Sequence, residues 1–292
     1  MSCQVFREKR FGSPARARVA TCNQIIEEYL GQGLRLTLRQ LYYQLVTRNV
    51  MANVEREYKH LSTLVSDARL AVLMDWAAIE DRVRQPHVQL QFENLGELVD
   101  VALCSYRLPR WRGQEVYVEL WVEKDALAGV LSPLAREFHV TLMVNRGYSS
   151  QSAMYESANR FIDSEKPGKL LYLGDHDPSG EDMVRDIRDR LAMFGAEVTV
   201  EKLALTMEQV RQYNPPPNPA KRTDPRATDY IAEHGNESWE VDALPPEVLS
   251  GIIRERFEDI IMLEPLQEVL EQEQQDKASL QAALRSIGRK RK

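Results

Sequence analysis

Apolar positions change their period partway along this chain. From about Arg16 to Leu30, over 38–46 and again over 58–76, they recur every three or four residues. That is the spacing of amphipathic helices, and it predicts a mostly helical segment over 16–85. Past residue 114 the pattern becomes short runs rich in Val, Leu and Tyr: "EVYVELWVE" (115–123), "HVTLMVN" (139–145), "KLLYLGD" (169–175) and "EVTVEKLAL" (197–205). Helical stretches at about 125–137, 149–164 and 179–194 separate them. Strands alternating with helices predict a parallel α/β sheet. The shift in period divides the chain into a first domain over 1–105, a linker "YRLPRWRGQ" over 106–114, and an α/β domain with C-terminal helices over 115–292. "YNPPPNPAKRTDP" reads as a rigid exposed connector. The tail from Pro245 reads as helices interrupted at Pro265, with Leu249, Ile252, Ile253, Phe257 and Ile260 as packing positions and a basic "GRKRK" end.

The stretch "LTLRQLYYQLV" carries two adjacent tyrosines. Thr37 and Gln40 fit a capping box, so a helix should begin at Leu38. Leu38, Leu41, Tyr42, Leu45 and Val46 then form one apolar stripe, which puts Tyr42 on the core side. Tyr43 lies about 100° further round, on the polar face, one turn after Arg39. It is either a phenol presented beside a cation for chemistry or an ordinary surface tyrosine. In the next helix Leu61, Leu64, Val65 and Ala68 face inward. Lys59, Ser62, Thr63, Ser66 and Arg69 face away, as a nucleic-acid-reading surface or as a solvated one. With the extended "IEDRVRQPHVQLQF" (79–92) after it, the arrangement resembles a winged helix-turn-helix.

Charge sharpens this picture. Residues 1–84 hold 13 Lys+Arg and 9 Asp+Glu, net +4, whereas the remainder holds 25 and 35, net −10. A basic front and an acidic back suit a DNA-contacting domain joined to a metal-holding one. Cys3, Cys22 and Cys104 are widely spaced, which fits a reducing cytosol and argues against a disulfide framework or zinc cluster. No apolar run reaches the length of a membrane span and no signal-peptide core is present, so a cytoplasmic protein without membrane association is expected.

In an open parallel sheet, function gathers outside the carboxyl ends of the strands. The first predicted strand ends at Glu123 and the third runs into Asp175 and Asp177, with His176 pointing the other way. If those strands are neighbours, three carboxylates meet, a donor set that suits Mg²⁺. Asp177 followed by Pro178 can equally be a helix N-cap, and Asp175 a turn former.

"VEKDAL" followed by "GDHDPSGED" resembles the toprim domain of topoisomerases, primases and related nucleases. "TLRQLYYQL" resembles the nucleophile helix of the topoisomerase VI A subunit, a relative of the meiotic double-strand-break transesterase. The short chain is most similar to stand-alone bacterial Mini-A proteins. This resemblance covers roughly residues 15–250 and implies a winged-helix domain followed by a toprim domain. It implies Tyr43 as nucleophile, Arg39 beside it, and Glu123, Asp175 and Asp177 as Mg²⁺ ligands, Glu123 also as a proton shuttle. The activity implied is that of a type IIB topoisomerase-A-like isomerase: cleavage of double-stranded DNA through a 5′-phosphotyrosine link. A homodimer sharing its sites between protomers is implied, and the absence of a Gly-rich ATP motif leaves any ATPase to a separate partner. The family's "GYPD"-type segment is represented only by "RGYSS" (146–150). Two other readings stay open: a metal-dependent toprim nuclease using water, and a DNA-binding protein with a vestigial metal site.

Overall fold

The computed structural model describes residues 6–32, 34–76, 79, 90–145 and 147–289. The expected wing over 79–92 and Arg146 of the "RGYSS" segment lie largely outside those residues. The chain is an α/β protein with a four-stranded parallel sheet.

The N-terminal helices are α1 (Ser13–Leu30), α2 (Leu38–Thr47), α3 (Glu55–Leu70) and α4 (Leu95–Ser105). Helix α2 starts where the capping box puts it: Thr37 accepts from the Gln40 backbone N–H and the Gln40 side chain accepts from Thr37 N. Helix α3 is shifted from the predicted 58–76. It begins three residues earlier and stops at Leu70, where Val72 adopts positive φ. Val19, Ile25, Leu41, Tyr42, Leu45, Leu61 and Val65 form one apolar core for this region, and Ala243 is the distant residue that joins it.

The sheet is built from β1 (Tyr117–Val122), β2 (Thr141–Val144), β3 (Gly168–Leu173) and β4 (Val198–Ala204), in the order β2-β1-β3-β4. Between the strands run α5 (Asp125–Phe138), α6 (Gln151–Asp163) and α7 (Pro178–Met193). Period-two alternation sends Val118, Leu120 and Val122 to a core with α5, and Trp121 to one with α6 and α7. Neighbouring β1 and β3 are thus followed by helices on opposite faces. That makes the gap between their carboxyl ends the topological switch point of the sheet.

Beyond the sheet lie α8 (Met207–Tyr213), α9 (Ala227–His234), α10 (Pro246–Ile260) and α11 (Leu263–Arg289). The proline-rich connector is partly ordered: β5 (Asn218–Pro219) pairs antiparallel with β6 (Glu237–Ser238). Leu249, Ile253 and Phe257 are fully buried, with Ile252 and Ile260 packed beside them. The segment 106–114, expected as a linker, is tied into the fold. Trp111 packs edge-on to Phe257, Arg110 donates to Glu273 at 2.6 Å, and Gln114 exchanges hydrogen bonds with Met262. No helix among the described residues is long and apolar enough to cross a membrane.

Candidate active site

The acids come from two strand ends. Glu123 follows β1 directly, its N–H donating to Leu173 O of β3 at 2.9 Å. Its carboxylate accepts from the Asp175 backbone N–H at 3.0 Å, so Glu123 and Asp175 are side by side, as the strand order requires. Gly174 lies between β3 and Asp175 because the Tyr172 ring folds over it; a Cβ there would meet that ring at 2.6 Å. The Tyr172 hydroxyl is buried without a hydrogen-bond partner among the described residues. Burial, with Glu123, Asp175 and Asp177 adding negative charge, pushes its pKa up. All three predicted acids therefore act on the charge of one phenol.

Asp177 has a second occupation. Its Oδ1 accepts from Gly180 N at 2.6 Å and from Ser179 Oγ at 2.8 Å, capping α7 with Pro178 in the first turn. The N-cap reading of this residue describes its observed contacts. His176 is buried and its Nδ1 lies 2.8 Å from the Tyr230 hydroxyl.

Three residues that pattern reading did not select complete the cluster. An antiparallel bridge between His176 and Trp239, His176 N to Trp239 O at 2.8 Å, draws residues 240–242 onto the strand ends. Val241 N then donates to Asp175 Oδ1 at 2.9 Å. The Lys124 ammonium sits among three carboxylates: Asp175 Oδ1 at 2.9 Å, Glu240 Oε2 at 2.6 Å and Asp242 Oδ1 at 3.0 Å. Burial opposes the Lys124 charge, but the three carboxylates outweigh it and keep the ammonium protonated. Burial pushes the Asp175 carboxyl up to about 7; Lys124 opposes this, and Glu123 and Asp242 reinforce it. Burial also acts on Glu240, yet Lys124 and Arg39 draw it down to about 2.

The same carboxylates hold the tyrosine helix. Arg39 pairs with Glu240, and its Nε lies 3.1 Å from Asp242 Oδ2. Its Nη2 donates to the Tyr43 hydroxyl at 3.2 Å. Tyr43 is only 3% exposed, which corrects the expectation that it faces solvent. The polar face of α2 is covered by the 3-10 turn Val241–Ala243, so the phenol is buried against charges. Burial, Asp242 and Glu240 push its pKa up, against Arg39 and Lys124. Tyr42 is the core tyrosine, its hydroxyl within 3.2 Å of Ala52 O and Val54 O.

On α3, Lys59, Thr63 and Ser66 are exposed and Ser62 is half-buried. Lys59 pairs with Glu55 at 2.7 Å. Arg69 is turned to structural use: its Nη2 donates to the carbonyls of Trp76 at 3.1 Å and Ile79 at 2.5 Å, which corrects its expected place on a groove-facing surface.

Among the described residues no three His, Cys, Asp or Glu side chains stand close enough together to hold a metal ion as they are placed. The chemistry of the set still fits Mg²⁺. Glu123, Asp175 and Asp177 are hard oxygen donors, and the buried Tyr172 hydroxyl beside Gly174 has no hydrogen-bond partner among the described residues. The chain matches no family model and no curated protein.

Proposed function

We propose that this protein is a type IIB topoisomerase A-subunit-like DNA transesterase, with a winged-helix domain followed by a toprim domain. One observation carries the reading. Contacts run unbroken from the Tyr43 hydroxyl through Arg39, Glu240 and Asp242 to Lys124, Asp175 and Glu123. Residues of the motifs "LRQLYY", "VEKD" and "GDHD", far apart in sequence, are joined through Glu240 and Asp242, which no motif selected.

In the proposed reaction the Tyr43 oxygen attacks a backbone phosphorus of duplex DNA and the bond to the 3′-oxygen breaks. The phenol proton leaves and the 3′-oxygen gains one, yielding a 5′-phosphotyrosine and a free 3′-OH. One phosphoester replaces another, so the step reverses without ATP. Arg39, already on the phenol oxygen, stabilises the phenolate and orients it. Glu123 passes the proton to the leaving oxygen. Mg²⁺, held by Glu123, Asp175 and Asp177, would offset charge on the phosphate and leaving oxygen. The exposed Lys59, Thr63 and Ser66, with the half-buried Ser62, would meet the duplex. Two strands need two phenols, so the active form is a homodimer, and any ATPase is a separate partner.

The test is a denatured cleavage reaction with internally labelled supercoiled DNA and Mg²⁺. Label should stay on wild-type protein and vanish from Tyr43→Phe together with cutting. A second reading has its own support, since a phenol 3% exposed with a raised pKa is a poor nucleophile as it stands. Water could attack in its place, as in a toprim nuclease. Cutting retained in Tyr43→Phe without adduct would select that reading. DNA binding without cutting under any condition would leave only a binding protein with a vestigial metal site. Mixing Tyr43→Phe with Glu123→Ala chains separates two arrangements of the homodimer: cleavage above either variant alone means that each phenol works with its partner's acids, and none means that it works with the acids of its own chain, the arrangement that the contacts within this chain support.

A further inference from the structure

Lys124, Arg39, Glu240 and Asp242 have a geometry that the reaction above does not use. Two cations share the same carboxylates. Glu240 Oε2 binds both Arg39 and Lys124. Asp242 gives Oδ1 to Lys124 at 3.0 Å and Oδ2 to Arg39 at 3.1 Å. Two anionic oxygens bridging a guanidinium and an ammonium is the pattern that the two non-bridging oxygens of a phosphodiester would make. The place is also right, because the Arg39 guanidinium that holds these carboxylates also touches the Tyr43 oxygen at 3.2 Å.

Two further features mark the carboxylates as replaceable. Arg39 Nε and Asp242 Oδ2 are buried and adjacent but not aligned, and neither has a hydrogen-bond partner among the described residues. A buried network left partly satisfied gains from a better-fitting partner. The seat is open on the Glu240 side, where the side chains of Arg39, Glu240 and Lys124 are 40%, 22% and 21% exposed, and closed on the Asp242 side, whose carboxylate is fully buried.

We propose that Arg39 and Lys124 form a two-cation seat for the scissile phosphate, and that the carboxylates of Glu240 and Asp242 fill this seat until DNA displaces them. The chain alone is then latched. The phenol stays buried and unreactive until a phosphate takes its two cations from the carboxylates, which frees α2 from the 3-10 turn. Lys124 becomes a substrate-contacting residue, and Glu240 and Asp242 become positioning residues that keep an unloaded nucleophile silent.

The proposal rests on the DNA-cleavage reading, and the experiment separates the two. Binding of a fluorescent 30-bp duplex is titrated across salt concentrations for the full-length wild type, Lys124→Met, Lys124→Arg and Glu240→Gln/Asp242→Asn. Losing a charge-assisted phosphate contact in Lys124→Met should weaken binding roughly 10- to 100-fold and flatten the log–log salt slope by about 1. Lys124→Arg should recover most of both. The double amide variant, which keeps the shape of both side chains but removes the competing charge, should bind roughly 10-fold more tightly. It should also show faster hydrogen exchange over 38–47 without DNA. Wild type that binds and forms the adduct, with affinity and slope unmoved in every variant, overturns the seat and leaves the cleavage reading standing. Wild type that neither binds nor cuts removes the cleavage reading, and the seat with it. Should Lys124→Met fail to fold, Lys124→Arg and the double amide variant decide: unchanged binding and exchange in the double variant overturns the proposal.

Discussion

Strand β1 delivers Glu123 to the site, and its own anchor is an ion pair, buried on the carboxylate side and half-buried on the guanidinium side, that can be broken in isolation. Glu119, four residues earlier, is fully buried on the sheet face under α6. Its carboxylate accepts from Arg160 Nε at 2.7 Å, Arg160 Nη2 at 3.0 Å, Trp121 Nε1 at 2.7 Å and Tyr117 Oη at 2.9 Å. Arg160→Leu keeps much of the volume, removes both charge-assisted bonds and strands the carboxylate with two neutral donors. Breaking a buried pair from one side costs about 3–5 kcal/mol, and the retained Trp121 and Tyr117 donors place this case near the lower figure, about 3 kcal/mol. Urea unfolding followed by far-UV circular dichroism measures it as a fall in midpoint with the slope unchanged. In Glu119→Gln/Arg160→Leu no charge is stranded. A double-mutant cycle should therefore return a coupling of roughly 1–3 kcal/mol. A loss below about 1 kcal/mol for Arg160→Leu would refute the account of Glu119 as a charge that depends on its guanidinium.

Glu273 supplies an acid-sensitive fastening for 106–114. Burial works against its charge, but bonds from Arg110, Lys277 and the Leu108 N–H bring its pKa down to about 2. A depressed carboxylate stabilises the fold above its unfolded pKa, near 4.3, and that share is lost as pH falls towards 2. The shift corresponds to on the order of 3 kcal/mol. Glu273→Gln should be less stable at pH 7 yet lose less between pH 5 and pH 2, as read from urea midpoints across that range; parallel curves would contradict it. Gly180 lies against the site itself: a Cβ there would stand 2.2 Å from the Asp175 carbonyl oxygen, which is backbone and cannot swing aside. Gly180→Ala gains about 1 kcal/mol of helix propensity but should still destabilise by about 1–3 kcal/mol, from overpacking. It should also depress cleavage more than Ser179→Ala; an equal or higher urea midpoint would count against it.

Much of the fold is legible where a single local rule decides the outcome. The capping box at Thr37 and Gln40 needs only two side chains and fixes the start of α2. The four runs of β-branched and aromatic residues become β1 to β4 because each is bounded by helix-period sequence. Glu123 and Asp175 meet because parallel strands share their carboxyl ends. Residues whose partners lie far away in sequence are harder to see. Glu119 looks like an ordinary alternating polar position until Arg160 arrives from α6. Arg69 resembles a groove-facing cation, but the chain after α3 turns back and gives it two carbonyls. Lys124 stands beside a motif acid and drew no role, and Glu240 and Asp242 flank Val241 in a stretch without periodicity. Their one available signal is that two acids and a valine precede "ALPP", a turn followed by a helix start, which keeps them at an element boundary.

Tyr43 combines both situations. Helical geometry correctly separates it from Tyr42, whose hydroxyl is held by backbone carbonyls of 52 and 54. The same geometry places Tyr43 on a polar face, and a polar face calls for polar surroundings, which water is only one way to supply. Here Glu240 and Asp242 supply them, with Arg39 as the link. Burial of this kind differs from burial in hydrocarbon, because the carboxylates that raise the phenol pKa also hold the two cations able to lower it. On the proposed reading, whether the phenol is inert or reactive depends on which anion occupies Arg39 and Lys124. A carboxylate pair belonging to the chain keeps both cations occupied and the hydroxyl covered. A phosphate in the same position would engage the cations while carrying the atom to be attacked, so one exchange of anions would uncover the nucleophile and deliver its substrate.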